Sequence, residues 1–261
     1  MKLNGRHALI TGSVGGIGYA TAKALAEDGC DVMLHGLADP AEAETIRAAL
    51  ATETGVTVGF HGADLSIPAQ IEELFAHTET TLGSIDILVN NAVVRHYAPV
   101  EDFPLESWSM ALAVNLTAPF HLSKLAMRGM KARGWGRIVN MSSNYGQTAV
   151  VNRVDYCATK AGILGLTRAV ALEGLPYGIT CNAICPGATL TPHAERQLAQ
   201  RAATSNKSRE DLMAELLAER QPSRRFVRPE DVASLIHFLC GESAREMTGT
   251  PISIDGGWLA Q

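Results

Sequence analysis

A chain of 261 residues, 46% apolar and 19% charged, can form one large α/β domain or two smaller ones. Its formal net charge of -5 excludes a non-specific polyanion binder, which needs clustered Lys and Arg, so nucleic acid is not an expected partner. The opening MKLNGRHALITG breaks its apolar run with charge and glycine, and no later stretch approaches about 18 uninterrupted apolar residues. A cytoplasmic protein with no membrane partner is expected.

In chain order, short apolar runs rich in β-branched residues fall at 7–11, 31–34, 57–61, 85–89, 137–141, 180–184 and 252–254. Segments with helical spacing lie between them at 17–28, 41–52, 68–80, 106–133, 156–172 and 229–240, several opening after Pro, Asp or Ser. Seven strands alternating with helices predict a parallel sheet. Short right-handed crossovers then put helices on both faces, which is a doubly wound, Rossmann-like α/β fold in one domain spanning 1–261. The segment 191–228 is too long for an ordinary connection and carries helical spacing, which predicts a helical substrate lid. Five cysteines (Cys30, Cys157, Cys181, Cys185, Cys240) form no CxxC pair, and Cys181 and Cys185 on one strand would lie ~13 Å apart. They read as reduced thiols, and the eight His show no metal-ligand spacing.

The first strand runs into Thr11-Gly12-Ser13-Val14-Gly15-Gly16-Ile17-Gly18 and then a helix. Glycines there let the backbone turn tightly against a pyrophosphate, and the helix start turns unpaired N–H groups toward it. Gly12, Ser13, Gly16, Ile17 and Gly18 are therefore candidate cofactor contacts. Asp64 and Leu65 end the third strand at the carboxyl edge of the sheet, where Asp64 can accept from an adenine amino group or cap the next helix. A 2′-phosphate would need Arg or Lys at Gly15 or at the His35-Gly36-Leu37 tip, and neither is present. The nearest carboxylate is Asp39, and His35 can blur the choice through its charge state. NAD is the expected cofactor, with NADP kept open.

Tyr156 and Lys160, four residues apart at a helix start, stack on one face, one turn apart. A nearby ammonium lowers the pKa of a phenol, so Tyr156 can exchange the proton of an alcohol while hydride moves. Ser143 ends the fifth strand at the same edge, where its hydroxyl can hold a substrate oxygen. Together, TGxxxGxG, the Ser143, Tyr156 and Lys160 set and Asn90-Asn91-Ala92 resemble the classical short-chain dehydrogenase/reductase family, with matching motifs from Thr11 to Gly257.

That resemblance implies a hydride transfer between a nicotinamide and a secondary alcohol or ketone. It implies that Asn115 holds a water in a proton relay and that Asn90 ties the central strands while Asn91 borders the ribose. It further implies that Pro186, Gly187, Thr189 and Thr191 present backbone and hydroxyl to the nicotinamide, and that the protein is a homotetramer. Val93 stands where the family has glycine, which puts the local backbone in question.

Segments at 39–42, 96–104, 180–187 and 255–261 look closest to bacterial 3-hydroxybutyrate dehydrogenases. By that likeness Gln197 and Trp258 keep a carboxylate pocket, Arg95 replaces Gln, and Arg153 replaces Lys. Tyr145 replaces a His and Ala188 a bulky Trp, which widens the pocket. The two Arg forks can hold one carboxylate firmly or two at once. The expected substrate is a hydroxy acid such as 3-hydroxybutyrate, or a larger or more acidic one. The alternatives are an NADPH-dependent 3-oxoacyl or sugar/polyol reductase, and a non-catalytic cofactor-binding protein.

Overall fold

The computed structural model describes residues 3–205 and 207–260. Seven strands, β1 (His7–Ile10), β2 (Asp31–His35), β3 (Val58–His61), β4 (Ile87–Asn90), β5 (Gly136–Met141), β6 (Ile179–Pro186) and β7 (Pro251–Ile254), form one sheet. Their order is β3-β2-β1-β4-β5-β6-β7 and every pairing is parallel. β4 and β5 are buried along their whole length, as expected of strands covered on both faces. Side chains alternate between two cores: Val32 and Leu34 face one, Met33 the other. Helices α1 (Gly16–Glu27), α2 (Pro40–Thr54) and α9 (Pro229–Leu239) cover the first face. The second is covered by α3 (Pro68–Leu82), α5 (Ala118–Arg133) and α6 (Val154–Gly174).

The strand order reverses between β1 and β4, and the crevice beyond their carboxyl ends is where such sheets bind ligands. The loop after β1 carries the glycines, and the loop after β4 carries Asn91, Val93 and Arg95.

The predicted helix at 106–133 is a continuous rod with a defect. It runs as α4 (Leu105–Leu112), then a π-helical turn at Ala113–Thr117, then α5. Pro119 has no N–H and would clash with the carbonyl four residues back, so the ladder widens and Ala118 N–H reaches back to Ala113 O. Asn115 lies inside this turn.

Segment 191–228 contains α7 (Pro192–Thr204) and α8 (Arg209–Arg220). Its two ends are pinned together. Val227 N–H donates to Ala188 O at 2.9 Å, and Ala188 N–H donates to Gln221 Oε1 at 2.8 Å. Among the described residues no helix is long and apolar enough to cross a membrane.

Candidate active site

The glycine loop is built for close approach. Gly12 and Gly16 have φ of 63° and 57°, and a Cβ at Gly12 would lie 2.9 Å from Ala92 Cα. A Cβ on Gly18 would collide with Gly12 O, so Gly18 packs α1 onto the loop. Among the described residues no side chain caps α1, so its first N–H groups are left for a ligand, which suits a pyrophosphate. Ile17 and Asn91 line the same cavity.

Two expected contacts, and the question left open at His35, turn out differently. Ser13 is fully buried: its hydroxyl donates to Ile10 O and accepts from His35 N–H, and its own N–H donates to His35 O, so it shapes the loop. Leu65 is buried in the second core, because its place just past β3 turns its side chain inward. His35 does not face a 2′-phosphate. Its ring is 3% exposed, with Nδ1 accepting from Gly12 N–H and Nε2 against Ala63 O, and burial lowers its pKa, so the ring is neutral. Asp39 is likewise occupied, accepting from Ala41 and Glu42 N–H at the start of α2.

Asp64 accepts from both the N–H and the hydroxyl of Ser66 through Oδ1, which holds its carboxyl below the usual range. Asn91 donates to Thr11 O and Gly12 O, tying the loop after β4 to the glycine loop. Asn90 donates to Asn140 Oδ1 at 2.8 Å across β4 and β5. Val93 keeps a negative φ, since Asn152 and Arg224 are the non-glycine residues with positive φ among those described. The valine therefore costs no backbone strain.

On the other side of the crevice, Thr191 accepts from Ala194 N–H as the cap of α7 and packs 3.5 Å from where a Gly16 Cβ would stand. Pro186, Gly187, Ala188 and Thr189 continue this wall. Glycine loop, bare helix start and wall together fit a dinucleotide.

Tyr156 lies in the first turn of α6 with Lys160 one turn on, both buried. Lys160 Nζ donates to Met141 O and stands 5.6 Å from the Tyr156 ring centre. Burial pushes the phenol up, but Arg95, Lys160 and hydrogen bonds from Ser143 and Arg95 outweigh it, leaving Tyr156 below its ordinary 10.0. Burial pulls Lys160 down from 10.5. Ser143 also accepts from Tyr145 N–H at 3.2 Å, which fixes its hydroxyl at the strand end. Asn115 is buried, with Oδ1 accepting from Val94 N–H and Nδ2 donating to Val94 O, so its amide anchors the loop that carries Arg95.

Arg153 places its guanidinium 4.4 Å from the Tyr156 ring centre and 4.3 Å from that of Tyr97, and donates to Tyr97 Oη. Arg95 lies 5.4 Å from the Tyr156 ring centre. Gln197 donates to the same Tyr97 hydroxyl at 3.3 Å. Tyr145 meets Trp258 edge-on, at 5.2 Å between centres, and Tyr156 at 6.4 Å. All these residues line one cavity of about 690 Å³. Sequence reasoning missed Tyr97, which organises both Arg153 and Gln197, and the lid residues Arg201 and Arg220 in the same lining. The only signal for the arginines was the helical spacing of the lid.

Residues 12–259 match the family model described as Enoyl-(Acyl carrier protein) reductase. The chain is 45% identical to D-beta-hydroxybutyrate dehydrogenase of Cupriavidus necator, covering 99% of this chain and 100% of that one. It is 43% identical to the enzyme of that name in Rhizobium meliloti, covering 97% and 98%. The crystal structure of L-sorbose reductase from Gluconobacter frateurii complexed with NADPH and L-sorbose aligns with a TM-score of 0.96 at 28% identity, covering 100% of this chain and 99% of that one. That of a substituted actinorhodin polyketide ketoreductase with NADPH gives 0.90 at 33%, covering 97% of each. The chain thus belongs to the short-chain dehydrogenase/reductase family and is an oxidoreductase that acts on CH–OH groups with a nicotinamide cofactor.

Proposed function

We propose that the chain is an NAD-dependent dehydrogenase of a hydroxy carboxylic acid, 3-hydroxybutyrate or a larger or more acidic relative. The observation that carries this is the pair of guanidiniums, Arg95 and Arg153, within 5.4 and 4.4 Å of the Tyr156 ring centre. A carboxylate gripped there sets the adjoining carbinol against the Tyr156 hydroxyl. The two curated relatives of the same name support the acid.

The glycine loop, Asn91 and the wall at 186–191 would hold a nicotinamide dinucleotide, which would supply or accept the hydride. Tyr156 takes the alcohol proton in oxidation and returns it in reduction, while Ser143 holds the substrate oxygen. Lys160 and Arg95 favour the phenolate by charge, and Asn115 holds the Arg95 loop in place. Helices α7 and α8 act as a lid over the acid. The apolar Leu37, 73% exposed just past β2, and the absence of a base at Gly15 support NAD over NADP. Exposed Phe120 on α5 and Leu172 on α6 support assembly with copies of the chain, as a homotetramer.

Reduced-nicotinamide formation with NAD and NADP in parallel, over both enantiomers of 3-hydroxybutyrate, hydroxy diacids, sugar acids and neutral secondary alcohols, tests the reading. Turnover of acids with NAD supports it, and turnover of neutral alcohols alone overturns it. A second reading, an NADPH-dependent ketone reductase, is favoured by the two neighbours solved with NADPH, and a strong preference for NADP would select it.

A further inference from the structure

The chain carries 27 acidic residues against 22 Lys and Arg, yet the described lining of its main cavity contains Arg95, Arg153, Arg201, Arg220 and Lys160 and no Asp or Glu. The ion pairs of the described side chains draw in Arg6, Arg47, Arg133, Arg209, Arg228 and Arg245, and none of the four cavity arginines. Arg153 Nε is buried without a hydrogen-bond partner among the described residues. Gathering like charges in a partly desolvated pocket is unfavourable unless an anion binds among them. One monocarboxylate cannot occupy all four.

The arginines come from two parts of the fold, the walls around Tyr156 and the lid. Arg95 and Arg153 stand at the Tyr156 ring, with Gln197 joined to them through Tyr97. Arg201 and Arg220 come from the lid. Arg201 sits on α7 four residues beyond Gln197, on the same face and about 6 Å further along the axis. Arg220 ends α8 and, like Arg153, lies near enough to Tyr145 to oppose the burial that raises the pKa of that phenol. The cofactor's phosphates do not explain Arg201. The end of α7 that packs on the glycine loop is Thr191, ten residues and about 15 Å away.

We propose that Arg201 and Arg220 form a second anion subsite beneath the lid, and that the substrate is a hydroxy dicarboxylate whose far carboxylate lies about one helical turn beyond the first, a chain of roughly five or six carbons. This rests on the hydroxy-acid reading above. The near carboxylate is held by Arg95 and Arg153, and the far one draws α7 and α8 down over the pocket, so the lid reads chain length and charge together.

The test compares 3-hydroxybutyrate with 3-hydroxyglutarate and 3-hydroxyadipate in the full-length protein with NAD. The diacids should exceed the monoacid in kcat/KM by tenfold or more. R201Q and R220Q should each lower kcat/KM for the diacids by at least tenfold beyond their effect on the monoacid, chiefly through KM, with NADH affinity as the folding control. A readout free of turnover is the change in fluorescence of bound NADH on titration with glutarate against butyrate. Wild type should bind glutarate more tightly, and the double variant R201Q/R220Q should bind both alike. Equal or better use of the monoacid by wild type, or equal losses for both acids in the variants, overturns the second subsite. Failure of every acid alongside turnover of a neutral alcohol overturns the hydroxy-acid reading itself.

Discussion

Three cations, Arg95, Arg153 and Lys160, stand around the Tyr156 ring, and each comes from a different stretch of chain or turn of helix. Burial alone would make the phenol a weaker acid, so Arg95 and Lys160 must overcome that before the hydroxyl can serve as a base. Y156F should lower kcat by at least about a thousandfold while leaving the dissociation constant of NADH, read by fluorescence, within twofold. Arg95 adds a directional test. Removing a cation beside a phenol raises its pKa, so R95A should move the acidic limb of the kcat/KM profile for alcohol oxidation to higher pH. An unshifted limb would show that Arg95 does not act on Tyr156. The Tyr156 and Lys160 pair was legible from four-residue spacing. Arg95 was placed at the site only by the likeness to hydroxybutyrate dehydrogenases, since the loop after β4 lies 61 residues from Tyr156 and no spacing links them.

The junction of β1 with α1 shows how tightly the elements must approach for a dinucleotide to bind between them. A side chain at Gly18 would strike Gly12 O, which is backbone and cannot swing aside. G18A should cost about 1–3 kcal/mol in urea unfolding and weaken NADH binding tenfold or more, since the loop must shift to admit the methyl. At the other end of the site, Gln221 holds the base of the lid, donating to Arg225 O while accepting from Ala188 N–H. Q221A leaves that N–H unpaired, and should raise KM for substrate several-fold with little change in NADH affinity. The strands and most helices could be read from apolar periodicity. The π-turn at Ala113–Thr117 could not, since periodicity over 106–133 is nearly that of an unbroken helix. Pro119 was the available signal.

Across the whole molecule, one polar chain crosses the apolar interior. Asn90 on β4 donates to Asn140 on β5, and Asn140 donates at 3.0 Å to Thr167 on α6, the helix that carries Tyr156 and Lys160. N140A strands the buried Asn90 amide and should lower the urea midpoint by the equivalent of about 1–3 kcal/mol with an unchanged slope. The sequence by itself determined the parallel sheet, the alternation of its strands with helices, the glycine loop and the catalytic pair, because each follows from local periodicity or from residues within a few turns of one another. Tertiary structure decided the rest. It turned Ser13, Leu65 and His35 inward, consumed Asp39 as a cap, and brought Tyr97, Arg95, Arg153, Arg201 and Arg220 from four separate segments to one cavity. Contacts between residues distant in sequence depend on how strands and helices are laid side by side, and no spacing along the chain records that.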